Sequence, residues 1–146
     1  MEDNRTIKGV IYPLSKDIAK NIFEKGRNIF VKYLTHEPTK KTDLKLKNGM
    51  KLYVYITKEN KSIIGEAGIK EIYYMDLLEI LTKFKRGLFL SEAELRDYAK
   101  GRETKKAQVL KLEDIKTYTK MIPVKKPITM AGMYITNDNE KKIFGR

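Results

Sequence analysis

The stretch from Lys8 to Tyr33 constrains this chain most, because it spells strand, helix and strand in immediate succession, each with its own stop signal. Val10-Ile11-Tyr12 is β-rich, and Pro13, which cannot donate to a ladder, is expected to end that strand. Ser15 stands where an N-cap belongs. Ile18, Ile22 and Phe23 then fall on one face at helical spacing, with Lys16, Lys20 and Glu24 directed elsewhere. Gly26 supplies the left-handed residue that stops the helix, and Ile29-Phe30-Val31 begins the next strand. The remaining strands and short helices are expected to wrap around this unit.

Downstream, Leu52, Val54 and Ile56 alternate with Tyr53, Tyr55 and Thr57, and a turn at 58–61 leads into a long strand from Ile63 to Tyr74, a hairpin pattern. Gly65 and Gly68 interrupt that second strand, as bends or close approaches of a small barrel require. Asp76 is a candidate N-cap for a helix carrying Leu77, Ile80, Leu81 and Phe84, and Ser91-Glu92-Ala93-Glu94 has the capping-box pattern. Alternation resumes from Gln108 to Glu113, and the last strand is expected at 129–136. Residues 137–146 read as a loose basic tail. The expectation is one α+β domain over 1–146, with about six strands and three helices, strands dominating.

Absence of cysteine removes disulfides, thiol nucleophiles and cysteine-ligated zinc, and a lone histidine leaves no imidazole cluster; no cofactor is expected. No apolar run is long enough for a bilayer, and the first residues lack a signal peptide's apolar core, so the expected location is the cytoplasm, without membrane association. With 31 basic and 19 acidic residues the formal net charge is +12, which favours a polyanionic partner, nucleic acid ahead of membrane. The lysine, isoleucine and glutamate richness, with a single glutamine (Gln108), also matches proteins of thermophiles.

Three segments carry a family resemblance. Ile11 to Asn28 resembles the opening of ASCH domains, where a strand and helix lead into a Gly-x-Lys-x-x-Glu-x-Arg motif. Gly49 to Tyr55 followed by Ile64-Gly65-Glu66-Ala67 resembles their paired strands, and Leu90 to Leu95 with Lys126-Pro127-Ile128 their later half. The chain is therefore similar to the PUA-like superfamily, ASCH and EVE types, and specifically to an uncharacterised archaeal family within it. That resemblance implies a small mixed β-barrel with a helix between the first two strands and helical inserts before the last ones. Counted from Gly26, the motif lysine falls on Asn28, the glutamate on Val31 and the arginine on Tyr33. In the ASCH amidohydrolases, which cleave an acetyl amide from a modified cytidine, that lysine and a following threonine take part in catalysis. Asn28 and Val31 stand there instead, and valine has no proton to give or take.

The functional expectation is a nucleic-acid-binding module, RNA ahead of DNA, with a cleft beside the first helix. Arg27 and Lys32 would meet phosphates, Asn28 a base edge, and Tyr33 would stack; Lys16, Arg86, Arg102, Lys105 and Lys125 are further candidate contacts. For a hydrolase of a modified nucleoside, the available groups are Lys32, Thr35, His36 and Glu66. An adaptor docking another protein through an open sheet edge is a third reading. The tyrosine pairs Tyr53/Tyr55 and Tyr73/Tyr74 read either as a stacking platform or as core.

Overall fold

A computed structural model of the chain describes residues 7–34, 46–57, 61–124, 128–129 and 132–144. The elements run β1 (Ile7–Leu14), α1 (Lys16–Phe23), β2 (Ile29–Lys32), β3 (Lys51–Ile56), β4 (Ser62–Met75), α2 (Leu77–Phe84), α3 (Glu92–Ala99), β5 (Ala107–Pro123), β6 (Met133–Thr136) and α4 (Glu140–Phe144). The strands form one mixed sheet in the order β2-β5-β4-β3-β1-β6. β1 and β3 are parallel neighbours, and the other pairings are antiparallel.

The expected barrel is not closed: its end strands β2 and β6 do not pair with each other. The sheet nevertheless curls. β2 and β1 lie four places apart, about 19 Å in a flat sheet, yet the rings of Phe30 and Tyr12 stack with centroids 5.4 Å apart. Tyr12 also donates its hydroxyl proton to Gln108 of β5 at 2.9 Å. Side chains inside the curl, rather than a last ladder, join the two regions. The curvature comes from β4 and β5, whose pairing shifts register at three places, around Gly65, Gly68 and Ile69/Glu71. Gly65 is also a close approach: a Cβ there would lie 2.6 Å from the Lys116 carbonyl oxygen and 2.6 Å from the Phe23 ring. That is where α1 meets the sheet.

Local signals act as the sequence implies. Ser15 accepts the Ile18 N–H, and both Asp76 and Ser91 complete capping boxes with Glu79 and Glu94. Gly26 has φ +68° just past α1. Three expectations need correction. Pro13 lies inside β1 rather than beyond it, because β6 pairs only up to Ile11 and leaves that edge open. β5 continues through Pro123, well past Glu113. Residues 140–144 are helical rather than a loose tail: the Phe144 ring lies 5.0 Å from that of Tyr53, and Glu140 pairs with Lys8 at 3.2 Å.

Two cores result. The larger holds Leu52, Val54 and Ile56 against α1, α2 and α3. The smaller, on the other face, holds Ile11, Tyr55, Ile63, Ile128 and Ile135, with Tyr53, Tyr118 and Phe144 against it. No helix among the described residues is long and apolar enough to cross a membrane.

Candidate functional site

The second strand of the opening unit becomes the floor of a cleft. Phe30, Val31 and Lys32 of β2 face Ser15 and Ile18 at the start of α1 on one side, and Glu94, Asp97 and Tyr98 of α3 on the other. Phe89 and Leu90 form the back and Leu14 and Thr57 the far rim, enclosing about 510 Å³. The size and apolar lining suit a flat heterocycle or a nucleoside-sized group.

This wall is held by backbone bonds. Ile29 N–H donates to the Gly87 carbonyl and Phe89 N–H to the Ile29 carbonyl, each at 2.9 Å. Asn21 Nδ2 donates to the Phe89 carbonyl, also at 2.9 Å, which ties α1 to the segment. Gly87 permits the contact, since a Cβ there would lie 2.7 Å from Asn28 Oδ1 and 2.9 Å from the Ile29 side chain. The 87–89 segment thus covers part of the free edge of β2.

Lys32 is the one cation lining the cleft among the described residues. Its Nζ stands 5.4 Å from the centroid of the Tyr12 ring. Burial, and then the Arg102 guanidinium, hold its pKa below the usual lysine value. Under it, the Tyr12 hydroxyl is buried and strongly raised in pKa, chiefly by desolvation, so it serves as a donor to Gln108 rather than as a base. Gln108 in turn donates to the Tyr74 hydroxyl at 3.5 Å.

Arg102 is committed to structure. It lies 4.8 Å from the Tyr33 ring and 5.0 Å from the Tyr98 ring, and Nη2 donates to the Tyr98 carbonyl at 2.7 Å. Tyr98 accepts the Tyr33 N–H at 3.0 Å. Tyr33, 6% exposed and packed edge-on against Tyr98, therefore offers no stacking face to a base. Its hydroxyl is buried and has no hydrogen-bond partner among the described residues.

The other sequence candidates disperse. Lys16 is exposed at the start of α1, next to the rim residue Ser15. Arg27 is exposed, with Nη1 3.5 Å from the Leu88 carbonyl. Asn28 and Arg86 line a second hollow beyond the cleft, and Lys105 is exposed after α3. Thr35, His36 and Lys125 lie outside the described residues, as does the turn at 58–60. Glu66 does not belong to the cleft. It opposes Tyr53 in register on the face of the smaller core, bound to Lys51 Nζ at 2.7 Å and the Tyr118 hydroxyl at 2.8 Å. Burial pushes its pKa up, but those two bonds and the charges of Lys51 and Lys116 bring it below the usual carboxylate value.

Sequence reading missed Glu94, Asp97 and Tyr98 as cleft residues. Their spacing of three and four is the available signal, since it puts them on one helix face.

A family model described as "Domain of unknown function (DUF365)" matches residues 7–137. The chain belongs to the DUF365 family. This DUF365 chain is 32% identical over 104 residues to the uncharacterized protein MJECS03 of Methanocaldococcus jannaschii, covering 64% of this chain and 96% of that one. It is 36% identical over 64 residues to an ASCH domain-containing ribonuclease of Zymomonas mobilis, 44% of this chain and 42% of that protein. Among solved structures, the Zymomonas mobilis ASCH protein superposes with TM-score 0.74 at 22% identity, covering 92% of each chain. A tyrosine-to-phenylalanine variant of it gives 0.73 at 21% identity, covering 92% of this chain and 95% of the other. The DUF365 chain thus has an ASCH-type fold, with the open, curled sheet described above.

Proposed function

We propose that this DUF365 protein is an RNA-binding module that receives one unstacked base or nucleoside in the cleft between α1, β2 and α3. The observation that carries the reading is Lys32: a half-buried cation, beside the carboxylates of Glu94 and Asp97, in a largely apolar pocket of nucleoside size, poised over the Tyr12 ring. The net charge of +12 supports a polyanionic ligand, and the name of the Zymomonas relative, a ribonuclease, points to RNA. Single-stranded segments present the splayed bases that such a pocket accepts, and the 2′-hydroxyl separates RNA from DNA.

The test is fluorescence-polarisation binding of a labelled single-stranded RNA pool across a salt titration, with matched DNA beside it. Binding should weaken with salt, favour RNA, and fall about tenfold or more in Lys32→Met, roughly 1.4 kcal/mol or above. No salt-sensitive binding to any pool at low salt would end this reading.

One observation favours a second reading, hydrolysis of a modified nucleoside or of RNA. The lowered pKa of Lys32 brings its amine nearer to working as a proton acceptor, and Glu94 and Asp97 line the same cleft. Glu66 has no part in it. Turnover that survives Lys32→Met unchanged would dismiss Lys32 as the base.

A further inference from the structure

The two ends of β2 open into different places. The Lys32 end floors the cleft, whereas Ile29 lines a second hollow of about 480 Å³, formed with Asn28, Lys83, Lys85, Arg86 and Lys111. The partner segment behaves the same way: Gly87 belongs to the second hollow, Phe89 and Leu90 to the cleft. The segment 87–89, hydrogen-bonded to Ile29, therefore has a cationic hollow at its Gly87 end and the apolar cleft at its Phe89 end. Ile29 and Lys32 are three residues apart along a strand, a spacing of about 10 Å.

Among the described residues, no carboxylate lines the second hollow. Among the described residues none of its four cations is ion-paired. Lys83 Nζ rests 4.4 Å from the Tyr73 ring centroid and 5.4 Å from that of Phe84, which keeps a charge over an aromatic wall rather than against an acid. Glu71, opposite Lys111 in register, is engaged by the Tyr73 hydroxyl. Four cations lining one concave surface are more than capping of α2 requires, because the macrodipole effect is confined to the last turn and Lys111 comes from β5.

We infer that this hollow is a phosphate-binding subsite for the backbone of the same RNA whose base fills the cleft, so that the RNA strand passes over the 87–89 segment beside β2. The inference rests on the RNA reading above. It assigns backbone affinity to Lys83, Lys85, Arg86 and Lys111, and leaves base selection to the cleft.

The experiment compares the full chain with Lys83→Ala/Lys85→Ala/Arg86→Ala, three exposed positions, using two probes: a labelled single-stranded RNA of twelve nucleotides, and a nucleoside 5′-monophosphate. The triple variant should lower affinity for the RNA equally across sequences. Its plot of log K against log salt should be shallower by about two, since each lost phosphate contact on a single strand removes about 0.7 from the slope. Mononucleotide binding should stay unchanged, because that ligand is too short to reach. Arg86→Glu alone should steepen the affinity loss in the same direction. Wild-type binding of the RNA with an unaltered slope in both variants overturns the subsite while leaving the cleft standing. A wild-type chain that binds neither probe overturns the cleft reading and the subsite with it.

Discussion

The curl of the sheet can be tested through one buried hydrogen bond. Tyr12 of β1 is 1% exposed and donates to Gln108 of β5, itself 1% exposed, at 2.9 Å. Those strands are three places apart in the sheet, about 14 Å if it were flat, so the bond exists only because the sheet bends. Tyr12→Phe removes the donor and leaves the Gln108 carbonyl oxygen buried without it, at a cost of about 1–3 kcal/mol. The corresponding loss in melting temperature is about 2–4 °C for each kcal/mol in a chain of this size. Gln108→Leu strands the Tyr12 hydroxyl instead, with a penalty of the same order. Replacing both partners by apolar groups removes the unsatisfied atom. The double variant should therefore be more stable than the sum of the singles allows, with a coupling of about 1–2 kcal/mol. The assay is urea unfolding of the four proteins, each midpoint converted with its own slope. Additivity within about 0.5 kcal/mol, the behaviour of residues beyond about 7–10 Å, would refute the curled arrangement. Because Tyr12→Phe keeps the ring beneath Lys32, RNA affinity should hardly move, separating the scaffold from the site.

Gly65→Ala would press a methyl against the Lys116 carbonyl and the Phe23 ring, and should cost about 1–3 kcal/mol in urea unfolding, loosening α1 from the sheet. Burial holds the hydroxyls of Tyr12, Tyr33, Tyr98 and Tyr134 above their usual pKa. Above pH of about 10 the unfolded chain therefore holds fewer protons than the folded one, and stability should fall steadily as pH rises, measurable by thermal melts from pH 8 to 11.5. Glu66 has the opposite sign: its lowered pKa supplies stability above the ordinary carboxylate range that is lost as pH falls through the folded value. Glu66→Gln should flatten that acid limb of the melting curve, and an unchanged limb would deny the Lys51 and Tyr118 contacts any energetic role.

What was legible in the sequence was local. The caps at Ser15, Asp76 and Ser91 and the stop at Gly26 work through bonds spanning three or four residues, so the letters alone specify them. The β3–β4 hairpin likewise follows from alternation broken by a turn. Closure was not legible, because it depends on how far register shifts around Gly65 and Gly68 bend the sheet, and no periodicity encodes that angle. Phe144 looked like part of a polar tail because its partner, Tyr53, lies 91 positions earlier. Arg102 looked like a phosphate contact because a guanidinium on two tyrosine rings reads, in sequence, like any loop arginine.

The fate of the tyrosines narrows where a ligand can lie. Tyr53 and Tyr55, which read as a stacking platform or as core, pack in the smaller core: Tyr55 is 2% exposed, and Phe144 packs on Tyr53. Tyr33 is closed off by Tyr98 and Arg102, and Tyr12 by Phe30 and Lys32. Of these, the Tyr12–Phe30 pair bridges the curl of the open sheet, which a closed barrel would achieve with ladder bonds. What remains for a base is the gap that the unclosed sheet leaves beside its edge strand, where Phe30 and Phe89, at 4.7 Å, form an apolar floor under Lys32. The family motif places its cation at Asn28, but here Asn28 belongs to the basic hollow and Lys32 to the cleft. The cleft cation thus stands four residues after the position that the motif's lysine would take. If the place of the charge matters, Thr57→Lys, a half-buried neutral position lining the same cleft, should raise RNA affinity and partly rescue Lys32→Met, whereas Asn28→Lys should add only to salt-dependent affinity and leave base preference as it was. Equal behaviour of the two substitutions would mean that charge in either hollow suffices, and that the cleft selects nothing.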